Sequence, residues 1–204
     1  MQEPEPVPSP TTFAVMAVVV QGGIALAAVV VGWLLGYPPG DAVVWHWDAA
    51  LWGLVAALPL LVLFGTCLWV PWKPLRDVLR LLDQLLAPLI QQHGLLDIAL
   101  LSALAGLSEE MLFRGVLQRA MAGADPSPLR QWIALGIAAA LFGFAHNITR
   151  AYALLATLAG AYLGWLWIAT GNILVPAIAH ALYDFLALVY LVRIRRRDGQ
   201  AEDS

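Results

Sequence analysis

The sequence predicts an all-α fold: a polytopic membrane bundle of about six transmembrane helices, with one amphipathic helix at the membrane interface. Three observations carry that expectation. The 204 residues are 61% hydrophobic and 12% charged, with a mean hydropathy of +0.76, whereas soluble domains are about half apolar and about a quarter charged. The apolar residues gather into runs close to the roughly 20 residues needed to cross a bilayer. Between two such runs, residues 75–93 instead place their apolar side chains at three- and four-residue spacing, the mark of a one-sided helix. A net charge of −3, with neither a basic face nor a long acidic tract, argues against nucleic acid as a partner and leaves membrane lipid.

In chain order, residues 1–12 are proline-rich and acidic, with no apolar face to bury, and predict a disordered tail. The first span follows from about Phe13 to Leu35; it lacks the basic leader and cleavage site of a secretory signal. The turn-rich loop after it carries Trp45, His46 and Trp47, rings that suit the headgroup layer. The second span, about Leu51 to Val70, holds the single cysteine, Cys67, which reads as a small buried hydrophobe.

Leu75, Val78, Leu79, Leu82, Leu85, Leu86 and Leu89 then fall on one side of a helix, with Arg76, Asp77, Arg80, Asp83 and Gln84 on the other. That pattern fits a helix lying on the membrane surface or a buried connector. The third span is about Leu95 to Arg119, the fourth a short one from Gln131 to His146, the fifth Ala151 to Thr170 and the sixth Ile173 to Val192. Residues 13–192 thus form one transmembrane domain, and 193–204 a tail. Six spans put both termini on one side. If that side is cytoplasmic, the inner segments hold Lys73, Arg76, Arg80, Arg150, Arg193, Arg195, Arg196 and Arg197, and the outer ones only Arg119 and Arg130. The positive-inside rule therefore predicts cytoplasmic termini.

The third span carries Glu109, Glu110 and Arg114. At about 2.5–3.5 kcal/mol for each charge in a bilayer-spanning helix, three unmitigated charges would cost roughly 8–10 kcal/mol, so they must be paired, turned inward or used. At 100° per residue Glu110 and Arg114 are about 40° apart and one turn distant, and Glu109 and Arg114 about 140° apart. Glu110 is the salt-bridge partner of Arg114. Glu109 is left without a local counter-charge, a candidate acid or base with a raised pKa.

Ser102, Ala105 and Gly106 share the face of Glu109, and small residues at that spacing let another helix come close. His146 ends the fourth span, one turn beyond Phe142, while His180 and Asp184 lie one turn apart on the sixth, where a carboxylate can orient an imidazole. A Glu–Arg pair can be only a structural lock, and a lone membrane histidine only a hydrogen-bonded interior residue. The conjunction of these residues in spans makes a functional site the default hypothesis.

Glu109-Glu110-Met-Leu-Phe-Arg114, Phe142-Gly-Phe-Ala-His146 and His180-Ala-Leu-Tyr-Asp184 resemble, in order, the EExxxR, FxxxH and HxxxN/D motifs of the CAAX-protease and bacteriocin-processing (CPBP, or ABI) family of intramembrane endopeptidases. The resemblance covers about Leu95 to Val192. It implies that Glu109, assisted by His146, activates a water; that His180 and Asp184 bind the developing oxyanion; and that Glu110 and Arg114 support them. It implies as substrate a membrane-associated peptide or protein, of CAAX type or bacteriocin-leader type, and as location a bacterial plasma membrane. Asp184 stands where the family often has asparagine. An ionised aspartate would repel an oxyanion, so Asp184 either donates as a neutral acid or, the preferred reading, holds His180 protonated.

The family resemblance leans to a mechanism without cofactor or metal, although Glu109, His146 and His180 form a possible zinc set. Two other functions use the same residues: a non-proteolytic membrane protein that gives immunity or scaffolding, and a small ion or proton transporter. The absence of an internal repeat weighs against the transporter.

Overall fold

The computed structural model describes residues 9–194. Helix α1 spans Pro10–Leu35, α2 Trp47–Trp69, α3 Lys73–Leu85, α4 Ala87–Ile90 and α5 Leu95–Glu110. The α5 axis continues through a π-helical stretch, Met111–Gln118, into the short α6, Arg119–Ala122. Then come α7, Pro128–Ala145, α8, Arg150–Thr170, and α9, Leu174–Val189, which closes in a second π-helical segment, Tyr190–Ile194. Every regular element among the described residues is helical, as the sequence predicts.

Helices α1, α2, α7, α8 and the α9 segment to Val192 are each long and apolar enough to cross a membrane. The α5–α6 rod is the sixth long element, and the charges it carries set it apart. Val15, Val19, Leu26 and Leu34 on α1 and Leu51, Leu58 and Val62 on α2 are exposed, which is what contact with acyl chains requires.

The helix ends depart from expectation where caps decide them. Helix α1 starts at Pro10, so residues 10–12 are helical and not part of a disordered tail: the Ser9 hydroxyl accepts from the Thr12 amide at 3.2 Å, and Pro10 occupies the first turn, where it needs no amide donor. The rest of that predicted tail, 1–8, and residues 195–204 of the predicted C-terminal tail lie outside the described residues. Ser127 caps α7 and Thr149 caps α8 in the same way, and Gly94 and Asp97 close the start of α5 through a 2.9 Å bond from the Gly94 amide to the carboxylate.

Helix α5 lies at the centre, between α1 and α9, while α2 packs on the other flank of α9 and α7 pairs with α8. Close backbone approach makes this possible. A Cβ on Gly106 would come within 2.8 Å of the Ala177 carbonyl oxygen on α9, and one on Gly143 within 2.6 Å of the Ala153 carbonyl oxygen on α8. The small face predicted around Glu109 is thus the seam between α5 and α9, with Ser102 and Gly106 both buried.

Helix α3 buries Leu75, Val78 and Leu79 against the bundle and exposes Arg76, Arg80 and Gln84. On that outer face Asp77 binds Lys73 at 2.7 Å and Arg80 at 2.6 Å; the Lys73 bond and the neighbouring cations hold its carboxyl below its ordinary value. At the opposite end Asn172 clamps two connections together. Its side chain accepts from the Val44 amide at 3.1 Å and donates to the Val44 carbonyl at 2.8 Å.

Candidate active site

Glu110 and Arg114 form the pair expected from their spacing. Both side chains are fully buried, with Arg114 Nη1 2.7 Å from Glu110 Oε1. Arg114 Nη2 donates to the Gly160 carbonyl of α8 at 2.6 Å, and its guanidinium lies 4.8 Å from the centre of the Phe142 ring. A buried charge is tolerable when its counter-charge is close, and here that closeness offsets an Arg114 Nε and a Glu110 Oε2 left without partners among the described residues. The π-helical turn helps: its wider girth buries Phe113, Arg114, Gly115 and Val116 consecutively, where a regular amphipathic helix would turn part of that run outward.

Glu110 does more than lock its own helix. The same Oε1 lies 3.0 Å from His180 Nδ1, and His180 Nε2 lies 3.4 Å from Asp184 Oδ2. With a carboxylate before each nitrogen, the doubly protonated ring can donate on both sides. Sequence spacing anticipates the Asp184 contact. The Glu110 contact joins residues 70 positions apart and no local pattern reveals it.

Glu109 points away from Arg114, as its angle on the helix requires. Its Oε2 is 3.6 Å from His146 Nε2 and has no hydrogen-bond partner among the described residues. Its Oε1 accepts from the Gln21 side-chain amide at 3.2 Å, and Gln21 Oε1 accepts in turn from the Ser108 hydroxyl at 2.6 Å. Gln21 is a residue of the candidate site that the motifs do not contain. Its only signal was being an amide in the middle of an otherwise apolar first span.

His146 caps the end of α7, and its Nδ1 sits 2.8 Å from the Phe142 carbonyl. A carbonyl only accepts, so Nδ1 carries the proton and Nε2 faces Glu109. Phe142 fixes the remaining geometry: its ring lies 4.4 Å from that of His146, 5.8 Å from that of His180 and 5.0 Å from that of Phe113.

These groups converge on one cavity of about 310 Å³, lined at its polar end by Gln21, Glu109, His146, Tyr152, His180 and Asp184. From there it runs toward the α3 end between apolar walls that include Leu60, Phe64, Cys67, Leu79 and Leu188. The apolar side of α3 forms part of that wall. As a metal site the donors do not converge. Among the described residues no three His, Cys, Asp or Glu side chains form a group that could hold an ion, and His180 turns both nitrogens to Glu110 and Asp184.

Residues 91–186 match the family described as type II CAAX prenyl endopeptidase Rce1-like. This match, over just under half of the chain, supports the CAAX-protease (CPBP) family. All seven motif residues fall inside the matched segment, whereas Gln21 and the apolar wall from α2 fall outside it. Neither a curated protein nor a solved structure matches the chain. At family level the match supports a membrane peptidase, and the long apolar helices support a multi-pass membrane protein.

Proposed function

We propose that the protein hydrolyses a peptide bond of a membrane-associated substrate with Glu109 as general base. The observation that carries this reading is the Glu109 Oε2 atom: buried, without a hydrogen-bond partner among the described residues, 3.6 Å from His146 Nε2, and on the wall of the cavity that holds His180. One water can touch both side chains there. Glu109 takes one proton as the water oxygen bonds to the scissile carbonyl carbon, and His146 Nε2 holds the water by its second hydrogen. When the C–N bond breaks, Glu109 returns the proton to the leaving amine. Acid–base help of this kind is worth about 10²–10⁴ in rate.

The negative charge that develops on the carbonyl oxygen is met by His180. The 3.4 Å separation of its Nε2 from Asp184 is long for a hydrogen bond, so that N–H can turn to a substrate oxygen while Asp184 and Glu110 orient the ring. Asp184 thereby serves the site through His180. Gln21 orients the Glu109 carboxylate, and Arg114 holds Glu110 in reach of His180.

The apolar walls of the cavity suit a lipid-bearing or strongly apolar segment beside the cut, the chemistry of a CAAX-type substrate. Because the cavity runs toward the α3 end, where most of the described basic residues lie, substrate enters from the cytoplasmic side. The test compares membrane-associated peptides from cells carrying the wild type and Glu109→Ala, with insertion verified for both. The expected result is a set of cleaved products that vanishes with Glu109→Ala. Products that persist refute the role of Glu109, and a phenotype unchanged by the substitution supports the non-proteolytic alternative.

A further inference from the structure

At the end of the bundle opposite α3 lies a second cavity, of about 290 Å³, where three inter-helix connections meet: Tyr37 from the α1–α2 loop, Gly123, Ala124 and Pro126 ahead of α7, and Gly171 between α8 and α9. Its charged wall residue is Arg119. That guanidinium gives Nη1 to the Pro38 carbonyl at 3.1 Å and to the Gly115 carbonyl at 3.4 Å, and lies 5.6 Å from the Tyr37 ring and 5.9 Å from the Trp167 ring. Among the described residues no carboxylate pairs with it. An arginine keeps its charge under all ordinary conditions, so this one carries a charge that no carboxylate among the described residues balances.

Two further facts give the missing counter-charge a chemistry. Trp33, Trp45 and Trp132, all exposed, belong to the helix ends around this cavity, the pattern of aromatic rings settling at headgroup level. Arg130, whose Nη2 reaches the Met121 carbonyl at 3.4 Å, adds a second cation on the adjoining turn, and Gln118 and Gln131 add amides to the lining. The acid of that turn, Asp125, is exposed.

We propose that this cavity binds a phosphate group, carried by a membrane phospholipid or free in solution, with the planar fork of Arg119 as its principal contact. The fork matches phosphate oxygens two at a time, and the cavity is large enough to hold the group below the rim.

The full chain, purified in an uncharged detergent, is titrated at constant ionic strength with dioctanoyl phosphatidylglycerol, with dioctanoylglycerol, which lacks the phosphate, and with sodium phosphate. The readout is the midpoint of thermal unfolding. Phosphatidylglycerol should raise the wild-type midpoint saturably and dioctanoylglycerol should not. A matching response to sodium phosphate identifies free phosphate as the ligand, and a response to the phospholipid alone identifies the headgroup. Arg119→Gln should weaken the apparent affinity at least about tenfold, the scale of losing a charge-assisted hydrogen bond. Because that variant also loses its bonds to Pro38 and Gly115, Ala124→Phe is run beside it: it fills the cavity and leaves the guanidinium in place, and should weaken binding as much. Equal responses to both lipids, or wild-type responses from both variants, overturn the proposal.

Discussion

Replacing Arg114 with methionine removes a cation from a fully enclosed site and leaves Glu110 there with only His180 before it. At a separation of about 4 Å and an effective dielectric near 20, one charge pair is worth about 4 kcal/mol, and breaking a buried pair by removing one partner costs about 3–5 kcal/mol. The Gly160 carbonyl also loses its donor, a cost of about 1–3 kcal/mol that overlaps with the first because the two bonds come from one group. The expected loss is therefore about 3–5 kcal/mol, a shift of roughly two to three and a half decades in the folding equilibrium. Reversible unfolding in mixed micelles, followed by tryptophan fluorescence, measures it. Glu110→Gln combined with Arg114→Met leaves no orphaned charge and should recover a large part of the loss. A cost below about 1 kcal/mol for Arg114→Met, or a double variant no better than the single, would refute the view that this pair is held by mutual compensation.

Gln21→Ala should lower kcat about tenfold or more with KM little changed, since a hydrogen bond to a charged group is worth about 1.5–3 kcal/mol; steady-state kinetics that move only KM would deny Gln21 an orienting role. Gly143→Leu forces α7 away from α8, with an expected loss of about 1–3 kcal/mol of stability and of activity too, because His146 follows three residues later. Cleavage should survive a strong zinc chelator; loss on chelation with recovery on added zinc would favour the two-histidine metal reading. Cys67→Phe narrows the apolar part of the catalytic cavity and should raise KM more than it lowers kcat for an apolar substrate, which a substrate series of graded tail length would reveal.

The sequence carries the membrane architecture and the motif residues because both rest on local regularities. An apolar run has a length, and a carboxylate and an arginine four residues apart share a helix face. The Glu110–Arg114 pair and the Asp184–His180 contact follow from that alone. What escaped is contact between distant segments. Gln21 reaches Glu109 across 88 positions, and its own surroundings are uniformly apolar, so nothing nearby marks it. The Glu110–His180 bond escaped because Glu110 already had an obvious mate one turn away. The start of α1 was misplaced for a different reason: a proline-rich stretch reads as a tail until a serine just ahead of it is recognised as a cap.

The π-helical stretch between Glu110 and Arg119 fixes the rotational phase of one half of that rod against the other. Glu109 meets Gln21 and His146 on one side of it, and Arg119 reaches Pro38 on the other. Changing the number of residues within Met111–Gln118 would alter that phase. Either end could then stay in register with its neighbours, but not both, so this short segment couples the length of the chain between two distant cavities to the shape of each.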